Sequence, residues 1–320
     1  MANTEKVVVQ VVVQGQKDLE NLGKSTKKTT KGIGGLTSSL TKMAGGLLAA
    51  VTAFRTITRV VSSAVRTFRE FEFEMAKVKA ITGATDREFK QLTNTARELG
   101  RTTFFTASQV AQLQVNYGKL GFTTQEILAA QEATIDLATA TQTDLARAAI
   151  VAGAAVRGFG LDASETQRVV DVMAVAFTSS AMDIEKFQTS MTKVAPIAKA
   201  AGFSLEDTTA IMSKLTDAGI EASIAGTSLR NILLKMQDPN SDLVKSFGKT
   251  IHSFDELLPA MKAFIEQGGS MADIMEVVDL RQAAAFEQML SSSDATLILR
   301  DALNEATGAA KEMSDIIQDT

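Results

Sequence analysis

The sequence predicts an all-α chain: an array of short antiparallel helices, preceded by one long coiled-coil-like helix and a single N-terminal β-strand. Three observations lead there. A glycine, an apolar residue and a helix-capping signal recur at Gly121-Phe122-Thr123, Gly160-Leu161-Asp162 and Gly202-Phe203-Ser204, at intervals of 39 and 42 residues. Apolar residues repeat every seven positions through residues 47–80. Only three of 320 residues are proline, so little interrupts helical stretches.

Residues 1–14 carry the expected strand. Val7, Val9, Val11 and Val13 form one apolar face, with Gln10 and Gln14 on the other, and β-branched valine favours extended backbone. A lone strand must pair with a later segment, another subunit or a partner. Residues 15–46 form a Lys/Gly-rich linker that includes Gly32, Gly34, Gly35, Gly45 and Gly46.

Residues 47–80 are expected to form one long amphipathic helix of roughly 50 Å at about 1.5 Å per residue. One apolar row runs Leu47, Phe54, Val61, Phe68, Met75; the other runs Ala50, Ile57, Ala64, Phe71, Val78. Together they make the two-row seam of a coiled coil. Leu47, Phe54, Ile57, Val61, Phe68, Phe71, Met75 and Val78 are therefore the candidate oligomer seam. The same seam could equally pack on other helices of its own chain. Arg55, Arg59, Arg66 and Arg69 fall on the opposite side and form a candidate partner-contact face. Three readings of that row stand together: the exposed side of a coiled coil, a contact with an acidic partner, or phosphate binding. The last lacks the interleaved aromatics of nucleic-acid sites.

Residues 81–245 read as the helical core. In each repeat an oxygen-bearing residue (Thr123, Asp162, Ser204) stands three positions before an acid (Glu126, Glu165, Asp207). That is the capping-box spacing, in which each side chain satisfies an orphaned backbone N–H. The preceding glycine suits the left-handed residue that ends a helix. Further boxes are expected at Thr85–Glu88, Thr106–Gln109 and Ser180–Asp183. The expected helices are 86–99, 107–117, 124–139, 142–157, 163–178, 182–200, 205–217 and 221–236, with Pro196 kinking or shortening one of them. Asp238-Pro239-Asn240 ends the array. Residues 246–320 form a C-terminal helical segment, starting anew at Ser253–Glu256, broken at Gly268-Gly269 and helical again over 280–318. It is expected to be truncated or to lead into a missing ruler region.

Composition excludes several chemistries. The chain has no cysteine and one histidine, His252, which removes thiolate chemistry and His-rich metal sites and makes a Ser-His-Asp arrangement improbable. No catalytic, cofactor-binding or metal-ligating residue is assigned, and an enzyme is the least supported class. Gly158-Phe159-Gly160-Leu161-Asp162-Ala163 fits a dinucleotide pattern, but its context is helix–helix rather than strand–helix. Glu126, Glu165 and Asp207 could in principle serve acid–base work, yet capping already accounts for them. Charge is uneven. Residues 1–69 carry 11 Lys/Arg against 3 Asp/Glu, and the remainder carries 22 against 34. A basic front and an acidic body imply different surroundings for the two parts.

One stretch resembles a known family. Gly219-Ile220-Glu221-Ala222-Ser223-Ile224-Ala225-Gly226-Thr227-Ser228-Leu229-Arg230 is similar to the signature of the core region of phage tail tape measure proteins. Matching stretches precede it in order: Phe71-Glu72-Phe73-Glu74-Met75 with Val78, Ala96-Arg97-Glu98-Leu99-Gly100 with Thr103-Phe104-Phe105-Thr106, Phe159-Gly160, and Ala200-Ala201-Gly202-Phe203-Ser204-Leu205-Glu206-Asp207. The resemblance covers about residues 70–245. It makes Gly219, Ile220, Ala225, Gly226, Thr227, Leu229, Arg230, Gly202 and Glu206 family-motif residues of structural role. Asn116-Tyr117-Gly118-Lys119 is bulkier and more polar than the resemblance leads one to expect.

The resemblance implies a structural virion protein that scaffolds tail-tube assembly, takes part in length determination, occupies the tube lumen and is released at genome ejection. The implied partners are the tail tube protein, tail assembly chaperones and tail-tip or baseplate proteins. A homo-oligomer through 47–80 and host membrane contact at ejection are further expectations; no cofactor and no specific nucleic-acid site are expected. Such a protein is made in the bacterial host cytoplasm. Two other readings remain: a helical-repeat protein-binding module built on 120–236, and a membrane-active helical protein inserting through 32–65.

Overall fold

The computed structural model describes residues 65–318. The expected strand Val7–Val13, the linker 15–46 and the first half of the long helix lie outside the described residues, as do Leu47, Phe54, Arg55, Ile57, Arg59 and Val61. Among the described residues every regular element is a helix, and no strand occurs. Helix α1 runs through 65–82. It is followed by α2 (Asp86–Thr102), α3 (Ala107–Lys119), α4 (Thr124–Ala140) and α5 (Leu145–Phe159). A short 3₁₀ turn, Ala163–Glu165, precedes α6 (Thr166–Ser179), α7 (Ile184–Ala200), α8 (Leu205–Asp217) and α9 (Ala222–Gln237). The C-terminal elements are α10 (Asp242–Phe247), α11 (Phe254–Glu266), α12 (Met271–Val278), α13 (Leu280–Ser291), α14 (Ser293–Asn304) and α15 (Ala309–Gln318).

The central helices sort into two layers. In the first, α3 packs on α5, α5 on α7 and α7 on α9; in the second, α4 packs on α6 and α6 on α8. Successive helices alternate between the layers; most touch their sequence neighbours across the gap, and α6 and α7 meet through the rings of Phe177 and Phe187. The apolar stripe of each helix therefore faces the other layer, as amphipathic helices require. Helix α13 continues the first layer beside α9. Helices α14 and α15 cover the second layer, α14 lying on α8 and α6, and α15 on α4 and α6. A single buried apolar cluster runs from Phe71 and Val78 to Leu303 and Ala310. The segment 246–320 is thus packed into the same core as 81–245 through its described helices.

The repeated glycines mark every turn from the first layer to the second. Gly121, Gly160 and Gly202 all have positive φ, at 78°, 60° and 83°. Each ends a first-layer helix, and the next residues cap a second-layer one or, at Asp162, the 3₁₀ turn that leads into it. The boxes at Thr123, Asp162 and Ser204 form as the spacing predicts, as do those at Thr85 and Thr106.

Local departures have identifiable causes. At Ser180–Asp183 the helix cap is Asp183, which accepts from the Lys186 N–H. Ser180 instead donates to the Ala176 carbonyl and accepts from the Met182 N–H, so the expected box there does not form. Pro196 lies inside α7 without ending it. The stretch 280–318 is helical in three pieces, parted at Ser292 and at 305–308. Between α12 and α13 the single residue Asp279 turns the chain at φ 73° and ψ 150°, a region costly for any residue with a Cβ. The Lys235 ammonium braces this turn, donating to the Val277 carbonyl at 3.2 Å and pairing with Asp279 at 3.1 Å.

Candidate functional site

The motif residues converge on the contact between α7, α8 and α9. Gly219, at φ 80°, ends α8; its N–H and that of Ile220 bond back to Thr216 and Leu215. That paired pattern closes a helix C-terminus. Glu221 then caps α9, accepting from Ser223 and Ile224 N–H groups at 3.0 and 3.1 Å. Ala225, Gly226 and Leu229 are buried, Ile220 and Thr227 are half-buried and Arg230 is exposed. A Cβ at Gly226 would stand 2.7 Å from the Ser190 carbonyl oxygen and 2.9 Å from its Cα. Only glycine lets α9 approach the α7 backbone that closely. Gly202 is similarly confined, because a Cβ there would run into the His252 carbonyl.

Glu206 is buried at the start of α8, yet it is paired. Arg168 of α6 grips it with both arms, Nε to Oε1 at 2.7 Å and Nη2 to Oε2 at 2.8 Å. Its remaining arm reaches Glu165 at 2.8 Å. The Glu206 carboxylate beside it holds the guanidinium above its ordinary range. A fork-to-carboxylate pair of this kind fixes geometry as well as charge. It ties the 3₁₀ turn before α6 to the first turn of α8, so two repeat turns are held in register.

Tyr117 explains the bulky stretch at 116–119. It is fully buried, with its hydroxyl bonded to Thr134 and its ring 4.7 Å from that of Phe122. Burial pushes its phenol far above the ordinary value. Room for it comes from Gly153 in α5, where an added Cβ would meet the Tyr117 ring at 3.0 Å and Leu120 at 2.6 Å. Arg157 closes this corner, stacking 4.0 Å over Phe122 and pairing with Glu126 at 3.3 Å.

On α1, Phe71, Met75 and Val78 are buried within the chain's own core, whereas Phe68 is 55% exposed. Arg66 and Arg69 are exposed. Arg97 of α2 lies 5.2 Å over the Phe71 ring and 3.5 Å from Glu72. Among the described residues, no group of acids and histidine is arranged to hold a metal ion, and no helix is long and apolar enough to cross a membrane. The segment 32–65 belongs to the undescribed part but for its last residue. His252 stands in the loop before α11, its ring bonded to Thr250 at 2.9 Å. The residues that sequence reasoning missed are Arg168, Gly153 and Asp171. Only Asp171 carried a signal, as a lone acid within Val169-Val170-Asp171-Val172-Met173.

Comparison with known proteins places this architecture. The family described as phage-related minor tail protein matches residues 93–249. The tape measure protein of Pneumococcus phage Dp-1 is 32% identical over 272 residues, which is 81% of this chain and 24% of that relative. The probable tape measure protein of Escherichia phage P2 is 28% identical over 269 residues, 78% of this chain and 33% of that relative. The chain therefore spans a quarter to a third of the length of these relatives. No solved structure matches.

Proposed function

We propose that the chain is a phage tail tape measure protein, or the N-terminal and core part of one; residues 93–249 match the family described as phage-related minor tail protein. Its role is structural rather than enzymatic: it scaffolds assembly of the tail tube, takes part in length determination, occupies the lumen and leaves at genome ejection. The observation that carries this reading is the alignment with two tape measure proteins across about four-fifths of the chain.

Geometry refines the division of labour. A ruler gains length at about 1.5 Å per residue only while its helix is extended. The described core is two layers of short helices, so it cannot measure in that way. In this reading the core is a folded head that organises assembly, and measurement belongs to extended sequence outside it. The tail tube protein, assembly chaperones and tail-tip or baseplate proteins are the partners. The basic front, with Arg55, Arg59, Arg66 and Arg69, and the strand segment Val7–Val13 are the contact candidates, the latter through strand addition. Self-association runs through 47–80, where Phe68 is 55% exposed. Contact with the host membrane at ejection falls to 32–65.

Mass spectrometry of purified tails tests the assignment. Peptides from 93–249 are expected in intact tails and depleted from particles that have ejected their genome. Their absence from complete, normally assembled tails would contradict it.

A further inference from the structure

The last helix is fastened in an unusual way. Asp171 of α6 is 2% exposed, and its carboxylate accepts from the Gly308 N–H at 2.9 Å and the Ala310 N–H at 3.0 Å. Gln167 steadies the same carboxylate at 3.1 Å. The cap of α15 is thus supplied by a helix 137 residues earlier in the chain. A carboxylate at a helix N-terminus satisfies orphaned N–H groups and complements the helix dipole.

Apolar contact contributes little to the same attachment. Within α15 only Ala310 and Ser314 are fully buried, both small, with Met313 and Ile317 partly covered. Of the two isoleucines near its end, Ile317 is half-buried and Ile316 is 64% exposed. Below α15, Asp136 of α4 faces Lys311 and Ser314 together with the like charges of Asp315 and Glu132. A helix of ten residues is too short to stand alone in water, so docking and helix formation go together. By contrast, α7 and α9 bury Phe187, Met191, Leu229, Ile232 and Leu233 around their contact.

We propose that 309–318 is a latch: a short helix fastened across α4 and α6 by Asp171, which opens as a unit while the two-layer core stays folded. Opening uncovers the α4–α6 surface and exposes the Asp171 carboxylate. Local opening of this kind belongs to elements with few buried apolar contacts.

Hydrogen exchange on the full chain tests it. In the unsubstituted protein, the amides of Glu312 to Gln318 should share one opening rate, at least tenfold faster than those of α6 and α9. Asp171→Asn should speed exchange in 309–318 by a further tenfold or more and leave α7 and α9 unchanged. Exchange graded inward from Gln318 would indicate simple fraying and overturn the proposal. So would rates in 309–318 equal to those of α6, or Asp171→Asn loosening α9 as much as α15. If Asp171→Asn fails to fold, the rates of the unsubstituted chain decide alone.

Discussion

At the scale of single residues, the contacts that matter are made by groups with no room to spare. Gly226 meets backbone atoms of Ser190, which cannot rotate away as a side-chain tip could. Gly226→Ala should therefore force α7 and α9 apart and lower stability by about 1–3 kcal/mol, the usual cost of overpacking, as read by chemical denaturation. Asp136 gives a test of opposite sign. Burial raises its pKa, and Lys311 only partly offsets that. A carboxylate whose folded pKa lies above its unfolded value loses stabilising effect as pH rises through the interval between them. Asp136→Asn should thus raise the melting temperature slightly at pH 7, with the gain shrinking to nothing as pH falls below the ordinary aspartate range. Lower stability of this variant at pH 7 would show that the pairing with Lys311 outweighs burial. Neither the Gly226–Ser190 contact nor the Arg168–Glu206 pair was legible from sequence. Each joins residues 36 or more positions apart, and no local pattern encodes such a meeting.

Helices and their ends were far more legible, because caps are local chemistry. A hydroxyl or carboxylate three residues before an acid competes for the same N–H groups whatever surrounds it. The starts at Thr85, Thr106, Thr123, Asp162 and Ser204 were readable for that reason. Ser180 shows where the rule gives way: two candidate caps, Ser180 and Asp183, stand in one turn, and the residue nearer the helix takes the N–H groups. The C-terminal breaks were hidden for a different reason. Asp279 has no turn signal of its own and is held in its costly conformation by Lys235 from α9. The caps carry their own prediction. Thr123→Ala and Ser204→Ala should each cost about 1 kcal/mol, a fall in melting temperature of roughly 2–4 °C for a domain of this size. An unchanged melting temperature in both would mean that packing alone positions these turns.

At the scale of the whole molecule, the glycine-and-cap rhythm is the signature of a two-layer stack, each glycine turning the chain from one layer to the other. The all-helical class could be read from that rhythm and from the scarcity of proline. What escaped was the return of α14 and α15 over the second layer, since a helix that docks on distant neighbours shows the same amphipathic pattern as one that continues outward. The central claim, that this chain builds phage tails, is tested most directly by electron microscopy of particles from a phage carrying an early stop codon in its reading frame. The account predicts particles without tails, or tubes of uncontrolled length, with normal tails restored when the stop codon is suppressed. Complete tails of normal length in the absence of the chain would contradict it.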